Sequence, residues 1–180
     1  MKENSRYPEE WKEYPSVTQV LSCFVKPGLQ EWFKRTPYKN IVKISEEAKE
    51  IGTKVNEIID LYQAGKMVKF KTKYGEKIIT ATKNYMEWRK QNGFTSYESQ
   101  VKVMHKSEGY VGTIDRIETD RSGLVIYDWK VSKRFYLSNR MQVIAYKKAY
   151  EAHLGKMISK CILVRLDRET LSFDSEKDVE

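Results

Sequence analysis

Residues 110–131, YVGTIDRIETDRSGLVIYDWKV, constrain the fold of this chain more than any other segment. Two apolar runs, 110–117 and 124–131, flank a short polar connection, a pattern that predicts two adjacent strands joined by a turn. Each predicted strand carries an acid, Asp115 in the first and Asp128 in the second. A charge inside a strand that otherwise looks buried costs free energy, so each acid needs a physical reason to be there.

The spacing of the charged residues indicates what that reason is. Lys130 follows Asp128 by two positions, and side chains two apart in a strand point to the same face. If the strands pair as a hairpin, Asp115 lies across from Asp128. Converging carboxylates suit Mg²⁺ or Mn²⁺, and a neighbouring lysine can hold water or neutralise a phosphate. The pattern favours metal-assisted phosphodiester hydrolysis; the alternative is a solvent-exposed hairpin with a surface ion pair.

The charge and the cysteine content limit the partners and the compartment. A formal net charge of +8 and a pI near 9.3 favour an anionic partner, most commonly nucleic acid, with plain solubility as the alternative. Two distant cysteines, Cys23 and Cys161, indicate a reducing compartment. They are too few for a four-cysteine iron–sulfur cluster or zinc site.

No part of the sequence predicts a membrane or export segment. No apolar run approaches the roughly 18 residues that span a membrane. The polar, acid-rich N-terminus resembles neither a signal nor a transit peptide. We therefore expect a cytoplasmic protein, in the host cytoplasm if the protein is viral.

The length and the periodicities predict one α/β domain over residues 1–180, with a central mixed β-sheet flanked by helices. Residues 1–14 are expected to form a loose arm and the acidic residues 172–180 a frayed tail. A short helix is predicted after Ser16. Further elements are predicted as helices at 45–64, 80–92 and 137–154 and as strands at 97–105 and 158–166.

Three groups of residues allow two interpretations each. Gly52 precedes Asn56 by one helical turn, and it either admits a ligand near Asn56 or permits close helix packing. The alternating Lys69, Lys71 and Lys73 either follow a phosphate backbone or protect a strand edge.

The third group comprises Ser16 and Thr18, which lie at the start of the first predicted helix. Their hydroxyl groups either donate to a phosphate at the helix N-terminus or serve as ordinary capping groups.

Several short motifs, taken in order, resemble one family. They are PSVTQVL at 15–21, GTKVNEII at 52–59, Glu98 at the start of a strand, GTID at 112–115, YDWKVS at 127–132 and QVIAY at 142–146. Together they resemble the PD-(D/E)XK, or restriction-endonuclease-like, nuclease superfamily. Within it they are most similar to RecB-type exonucleases, in particular the mitochondrial genome maintenance exonuclease group and its phage relatives.

The resemblance implies a restriction-endonuclease-like core and a set of site residues. Asp115, Asp128 and the carbonyl of Trp129 would bind the metal, Lys130 would be the catalytic lysine, and Gln142 and Tyr146 would support the site or contact DNA. Glu98 and Asn56 are further candidate ligands.

A second set of residues is expected to contact DNA. Phe135 and Tyr136 follow the pair Lys133-Arg134 in a predicted loop, where aromatic rings can stack on bases. Trp32 and Tyr38 are candidates too, with a place in the core as the alternative. The full set of expected DNA contacts comprises Ser16, Thr18, Ser132, Lys133, Arg134, Phe135, Tyr136, Gln142 and Tyr146.

Asn56 departs from the family pattern, because RecB-type members carry a metal-binding histidine at this helix position. An amide oxygen can bind Mg²⁺ but is a weaker ligand than imidazole for Mn²⁺. The change is compatible with one-metal chemistry, lower activity, an engineered trap or a lapsed enzyme.

We therefore expect a Mg²⁺- or Mn²⁺-dependent DNA nuclease, an exonuclease on single-stranded DNA or DNA ends of the kind used in replication and repair. The alternatives are a catalytically weak or inactive DNA-binding module of the same fold, and a ribonuclease.

Overall fold

The computed structural model describes residues 7–24, 27–66, 69, 71–92, 96–176 and 179. A 3₁₀ helix at Glu9–Trp11 comes first among the described elements. The helices that follow are α1 (Val17–Ser22), α2 (Pro27–Arg35), α3 (Tyr38–Gln63), α4 (Gly75–Gln91) and α5 (Leu137–Leu154). The strands are β1 (Ser96–His105), β2 (Tyr110–Asp120), β3 (Gly123–Val131), β4 (Ile158–Leu166) and β5 (Phe173–Glu176).

The strands form one mixed sheet in the order β1-β2-β3-β4-β5. Neighbouring strands are antiparallel except β3 and β4, which are parallel. A parallel pair needs a crossover connection, and α5 provides it. The predicted α/β class, with a central mixed sheet flanked by helices, is confirmed.

The two faces of the sheet pack against different helices. Alternate residues of β3 point to opposite faces, so Ile126 packs in a core cluster with α1 and α5. Tyr127 and Trp129 pack on the other face with α3 and α4. Burial on both faces explains why β3 is an almost continuous apolar run, and why the Asp128 carboxylate, 0% exposed, is unusual within it.

Helix α3 begins earlier than the sequence predicted. Its N-cap is Pro37, and Ser45, the predicted cap, lies inside the helix with an exposed side chain. Proline lacks a backbone N–H, which a helix N-terminus does not need. A serine on an exposed helix face costs little. Pro37 therefore determines where α3 begins.

The N-terminal segment is packed rather than loose over residues 7–14. Tyr7 is 5% exposed and clusters with Met104 and Val111. Thr113 Oγ1 donates to the Tyr7 hydroxyl oxygen at 3.2 Å. Burial of an aromatic ring outweighs the polarity of its neighbours here. Residues 1–6 lie outside the described residues.

The acidic tail contains strand β5 and is not frayed over residues 173–176. β5 pairs with β4, and Glu176 forms an ion pair with Arg140 of α5 at 2.7 Å. The added strand satisfies backbone groups that β4 would otherwise expose at the sheet edge. Residues 177, 178 and 180 lie outside the described part of the chain.

The lysine-rich segment contains no strand among its described residues, 69 and 71–74. The alternative of strand-edge protection by Lys69, Lys71 and Lys73 is therefore wrong there. Lys73 Nζ lies 4.7 Å from the centre of the Tyr74 ring. None of the helices described here is long and apolar enough to cross a membrane.

Candidate active site

The two acids lie where the pairing of β2 with β3 ends. The antiparallel register runs from Asp120↔Gly123 to Arg116↔Tyr127 and stops there. One further step of the same register would place Asp115 opposite Asp128. On the other side of β2, the register with β1 omits Gln100, which has a left-handed φ of 54°. Both ladders are therefore interrupted beside Asp115.

Asp128 and Lys130 form the expected contact along β3. Lys130 Nζ donates to Asp128 Oδ1 at 3.0 Å and lies 2.8 Å from Oδ2. The Asp128 side chain is almost fully buried, whereas that of Lys130 is 22% exposed. Apart from this ion pair with Lys130, the buried Asp128 Oδ2 receives no hydrogen bond from any described residue. A buried carboxylate oxygen in this state can accept a further ligand.

The charges of the site shift one another's proton affinities. Burial, reinforced by the charge of Asp128, raises the pKa of Asp115 to about 7. Burial also raises the pKa of Asp128, although Lys130 opposes that effect. For Lys130, burial favours the neutral amine, but Asp128 and Asp115 raise its pKa above the ordinary value. The acid pair therefore binds positive charge readily.

Asp60 is a third acid that the sequence analysis missed. It lies on α3 one turn after Asn56 and accepts a hydrogen bond from Gln100 Nε2 at 3.3 Å. Burial raises the pKa of Asp60 above its ordinary value, although the charge of the nearby Arg116 opposes this shift. The charge of Asp60 contributes to the raised pKa of Asp115. Its spacing of four residues from Asn56 was the available signal, because such residues share a helix face.

The site residues fit a cation bound by few protein ligands. Among the described residues, no three His, Cys, Asp or Glu side chains lie close enough to hold one ion. Glu98, which is exposed on β1, therefore does not join Asp115 and Asp128. Mg²⁺ commonly takes one or two carboxylates together with waters and substrate phosphates. The acid pair, in which Asp128 contacts Lys130 and receives no other hydrogen bond from a described residue, suits that type of site.

A cleft of about 330 Å³ opens beside Lys130. Gly52 and Asn56 of α3 form one side of its lining, and the lining also includes residues of the connection from β3 to α5. The structure thus brings Asn56 to the same cleft as Lys130. A Cβ atom built at Gly52 would meet no atom of the described residues within 4 Å. The interpretation of Gly52 as a close helix-packing residue is therefore wrong.

Tyr146 joins α5 to the acid-bearing strands. Its hydroxyl oxygen accepts a hydrogen bond from Gln142 Nε2 at 2.7 Å. Burial, and then the charge of Asp128, raises the pKa of Tyr146. A Cβ atom at Gly112 would lie 2.7 Å from Tyr146 Cε1, so the ring packs directly on the β2 backbone. No local sequence pattern indicates this packing role of Gly112, because its partner Tyr146 lies 34 residues further along the chain.

The loop after Lys130 separates the two predicted stacking residues. Phe135 is half-buried and packs against the core cluster on the α5 side of the sheet. Tyr136 is 45% exposed and lines the cleft, and the Arg134 guanidinium lies 5.2 Å from its ring centre. Lys133 and Arg134 are exposed, and Ser132 Oγ donates to the carbonyl oxygen of Arg134 at 3.0 Å. Tyr136, rather than Phe135, is accessible to a ligand.

The two hydroxyl side chains at the start of α1, Ser16 and Thr18, differ in solvent exposure. Ser16 is 3% exposed and forms a capping box with Gln19. The capping interpretation is confirmed for Ser16. Thr18 is exposed, and its Oγ1 lies 3.1 Å from Ser16 Oγ.

Tyr38, at the start of α3, is 80% exposed, so the alternative that places its ring in the core is wrong.

The sequence model of the PD-(D/E)XK nuclease superfamily matches residues 28–179. None of the curated proteins matches the chain. A solved structure titled "Crystal structure of SSO0001" aligns with 17% identity and a TM-score of 0.38. That alignment covers 77% of this chain and 60% of the other.

Proposed function

The chain belongs to the PD-(D/E)XK nuclease superfamily, and on that premise we propose that it is a divalent-metal-dependent deoxyribonuclease. We further propose that it acts as an exonuclease on single-stranded DNA or DNA ends. The observation that carries the proposal is the buried Asp128, whose carboxylate contacts Lys130 on one face of β3 and receives no other hydrogen bond from the described residues.

Asp115, Asp128 and the carbonyl of Trp129 would hold the cation. A bound Mg²⁺ or Mn²⁺ supplies Lewis-acid polarisation of the phosphate and offsets charge on the leaving oxygen. Burial of Asp128 excludes water from its carboxylate, which strengthens the attraction of that group for positive charge. Lys130 stays protonated beside the acids because their charges raise its pKa. Its partly exposed ammonium group can orient a water molecule or contact a phosphate oxygen in the cleft.

Support for DNA as the substrate comes from charge and from the cleft. The net charge of +8 favours a polyanion. Tyr136 offers an exposed aromatic ring with Arg134 beside it, a combination that stacks on unpaired bases. The preference for ends and single strands rests on the resemblance of the motifs to RecB-type exonucleases.

The test is a cleavage assay on end-labelled single-stranded, duplex and RNA substrates with Mg²⁺, with Mn²⁺ and with EDTA. We expect cleavage of single-stranded DNA with either metal and none with EDTA. Preferential cleavage of RNA would identify a ribonuclease instead. Cleavage that persists in EDTA would contradict the metal dependence.

Asn56 favours a second candidate function, a DNA-binding module with little or no activity. Its side chain lies in the cleft where the resemblance expects histidine, and its amide forms no hydrogen bond with a described residue. Salt-sensitive DNA binding without cleavage, under all the metal conditions above, would support this candidate over the nuclease.

A further inference from the structure

Gly52 lies in the interior of α3, where glycine is less favourable than alanine. A close neighbour or a left-handed φ would account for a glycine, and neither applies. Within the described part of the chain, a Cβ atom at this position would meet no atom within 4 Å, and the backbone is not left-handed. The remaining reason for a glycine at position 52 is that it keeps the cleft wide. Gly52 lines this cleft together with Lys130.

Hydrogen-bond donors lie around the same space. Asn56 is half-buried and lines the cleft, and its amide has no hydrogen-bond partner among the described residues. Asn139 accepts a hydrogen bond from Tyr136 N at 2.9 Å through Oδ1, which leaves its NH₂ group as a donor. The Lys130 ammonium group adds a positive charge. Amide and ammonium donors suit the phosphate oxygens and base edges of a polynucleotide.

We propose that the Gly52 side of this cleft is a subsite for the nucleotide beside the scissile phosphate. This proposal rests on the nuclease function proposed above and specifies which part of the substrate the cleft binds. Gly52 leaves room for the sugar–phosphate backbone of a DNA strand, and Asn56 lies one helical turn away to donate to it. A side chain at position 52 would project into that room and narrow the cleft.

The test compares Gly52→Ala and Gly52→Leu with Gly75→Ala. Gly75 is a matched control, because a Cβ atom there also meets nothing within 4 Å and the residue is not part of the cleft. Binding of a short fluorescein-labelled oligothymidylate is measured by anisotropy with Ca²⁺ in place of Mg²⁺. Melting temperatures are measured on the same proteins, and cleavage is measured separately with Mg²⁺ or Mn²⁺.

We expect Gly52→Ala to raise the melting temperature by about 2–4 °C, as a glycine-to-alanine change inside a helix should in a protein of this size. The same variant should bind the oligonucleotide roughly tenfold more weakly, since even a modest misfit in a packed contact has an effect of that order. Gly52→Leu should bind still more weakly, and Gly75→Ala should bind as the wild type does.

A stabilised Gly52→Ala variant that binds DNA with unchanged affinity would overturn the subsite. So would the absence of oligonucleotide binding by the wild type. Absence of cleavage by the wild type would instead reject the proposed nuclease activity, while the binding measurements would still decide the subsite. If Gly52→Leu fails to fold, the Gly52→Ala variant decides the outcome alone.

Discussion

At the scale of single residues, Asp128 and Lys130 are expected to have separable roles. Asp128 is a candidate metal ligand, whereas Lys130 contacts its carboxylate through an ammonium group, which cannot coordinate a cation. We expect Asp128→Asn and Lys130→Met each to abolish cleavage. Only Asp128→Asn should also weaken Mn²⁺ binding measured by calorimetry. Asp174→Asn, at an exposed position of β5, is the control. Full activity in Asp128→Asn would rule out the site.

Asp115 links the stability of the fold to pH. Its folded-state pKa is about 7, above the ordinary value of 3.8, so the folded state holds a proton that the unfolded state releases. Stability should therefore fall as pH rises from about 4 to about 7 in EDTA, because the unfolded state binds fewer protons there. Asp115→Asn removes this loss and should be more stable than the wild type at pH 8.

Urea denaturation of both proteins across this pH range measures the difference. The difference in stability between the two proteins should disappear at acidic pH, below the pKa of Asp115 in the unfolded state. At pH 8, Mg²⁺ should reduce the difference by binding the folded wild type. Equal stability of the two proteins at pH 8 in EDTA would show that the pKa of Asp115 is not raised in the folded state.

Position 56 is the place to test which metal the proposed site favours. Imidazole nitrogen binds Mn²⁺ better than an amide oxygen does, whereas Mg²⁺ favours oxygen. We expect Asn56→His to raise cleavage with Mn²⁺ more than with Mg²⁺, measured as the ratio of initial rates. Thr53→His, on an exposed face of the same helix, should leave that ratio unchanged. An unchanged ratio in Asn56→His would mean that position 56 does not reach the metal.

At the scale of elements, α5 is held on β2 by the contact of Tyr146 with Gly112. A Cβ at position 112 would approach the ring to 2.7 and 2.8 Å, so Gly112→Ala must displace Tyr146. Overpacking of this kind costs about 1–3 kcal/mol. Tyr146→Ala in the same chain should remove the clash.

The free energies of unfolding of the two single variants and the double variant, measured by urea denaturation, form a double-mutant cycle. The effects of Gly112→Ala and Tyr146→Ala on this free energy should not be additive. The double variant should be less destabilised than the sum of the two single variants, with a coupling of about 0.5–3 kcal/mol. Strict additivity would show that the ring does not pack on the β2 backbone.

At the scale of the whole molecule, the proposed exonuclease activity requires a free end. We expect linear single-stranded DNA to be degraded and covalently closed circles of the same sequence to be spared, with cleavage of the circles restored once they are nicked. Tyr136→Ala should weaken single-strand binding, since each stacked base contributes about 1–3 kcal/mol. Efficient cutting of intact circles would instead identify an endonuclease.

Much of the fold followed from local patterns in the sequence. The period of two placed Asp128 and Lys130 on one face of a strand, and the predicted bounds of α5 and β4 agree with the structure. These features depend on neighbours within a few residues, whose geometry the backbone imposes. The polar positions inside apolar strands also indicate the candidate site residues Asp115 and Asp128 without knowledge of any contact.

Tertiary structure decided the features that depend on distant partners. Asp60 reaches Gln100 and the charge of Asp115, Tyr7 is buried on β1 and β2, and Phe135 packs in the core while Tyr136 stays exposed. Two glycines that are each followed by a threonine also differ in what surrounds them. Gly112 is required by a ring from another element, whereas Gly52 has open space. Local periodicity predicts which face a residue occupies, but only the packing of separate elements determines what meets it there.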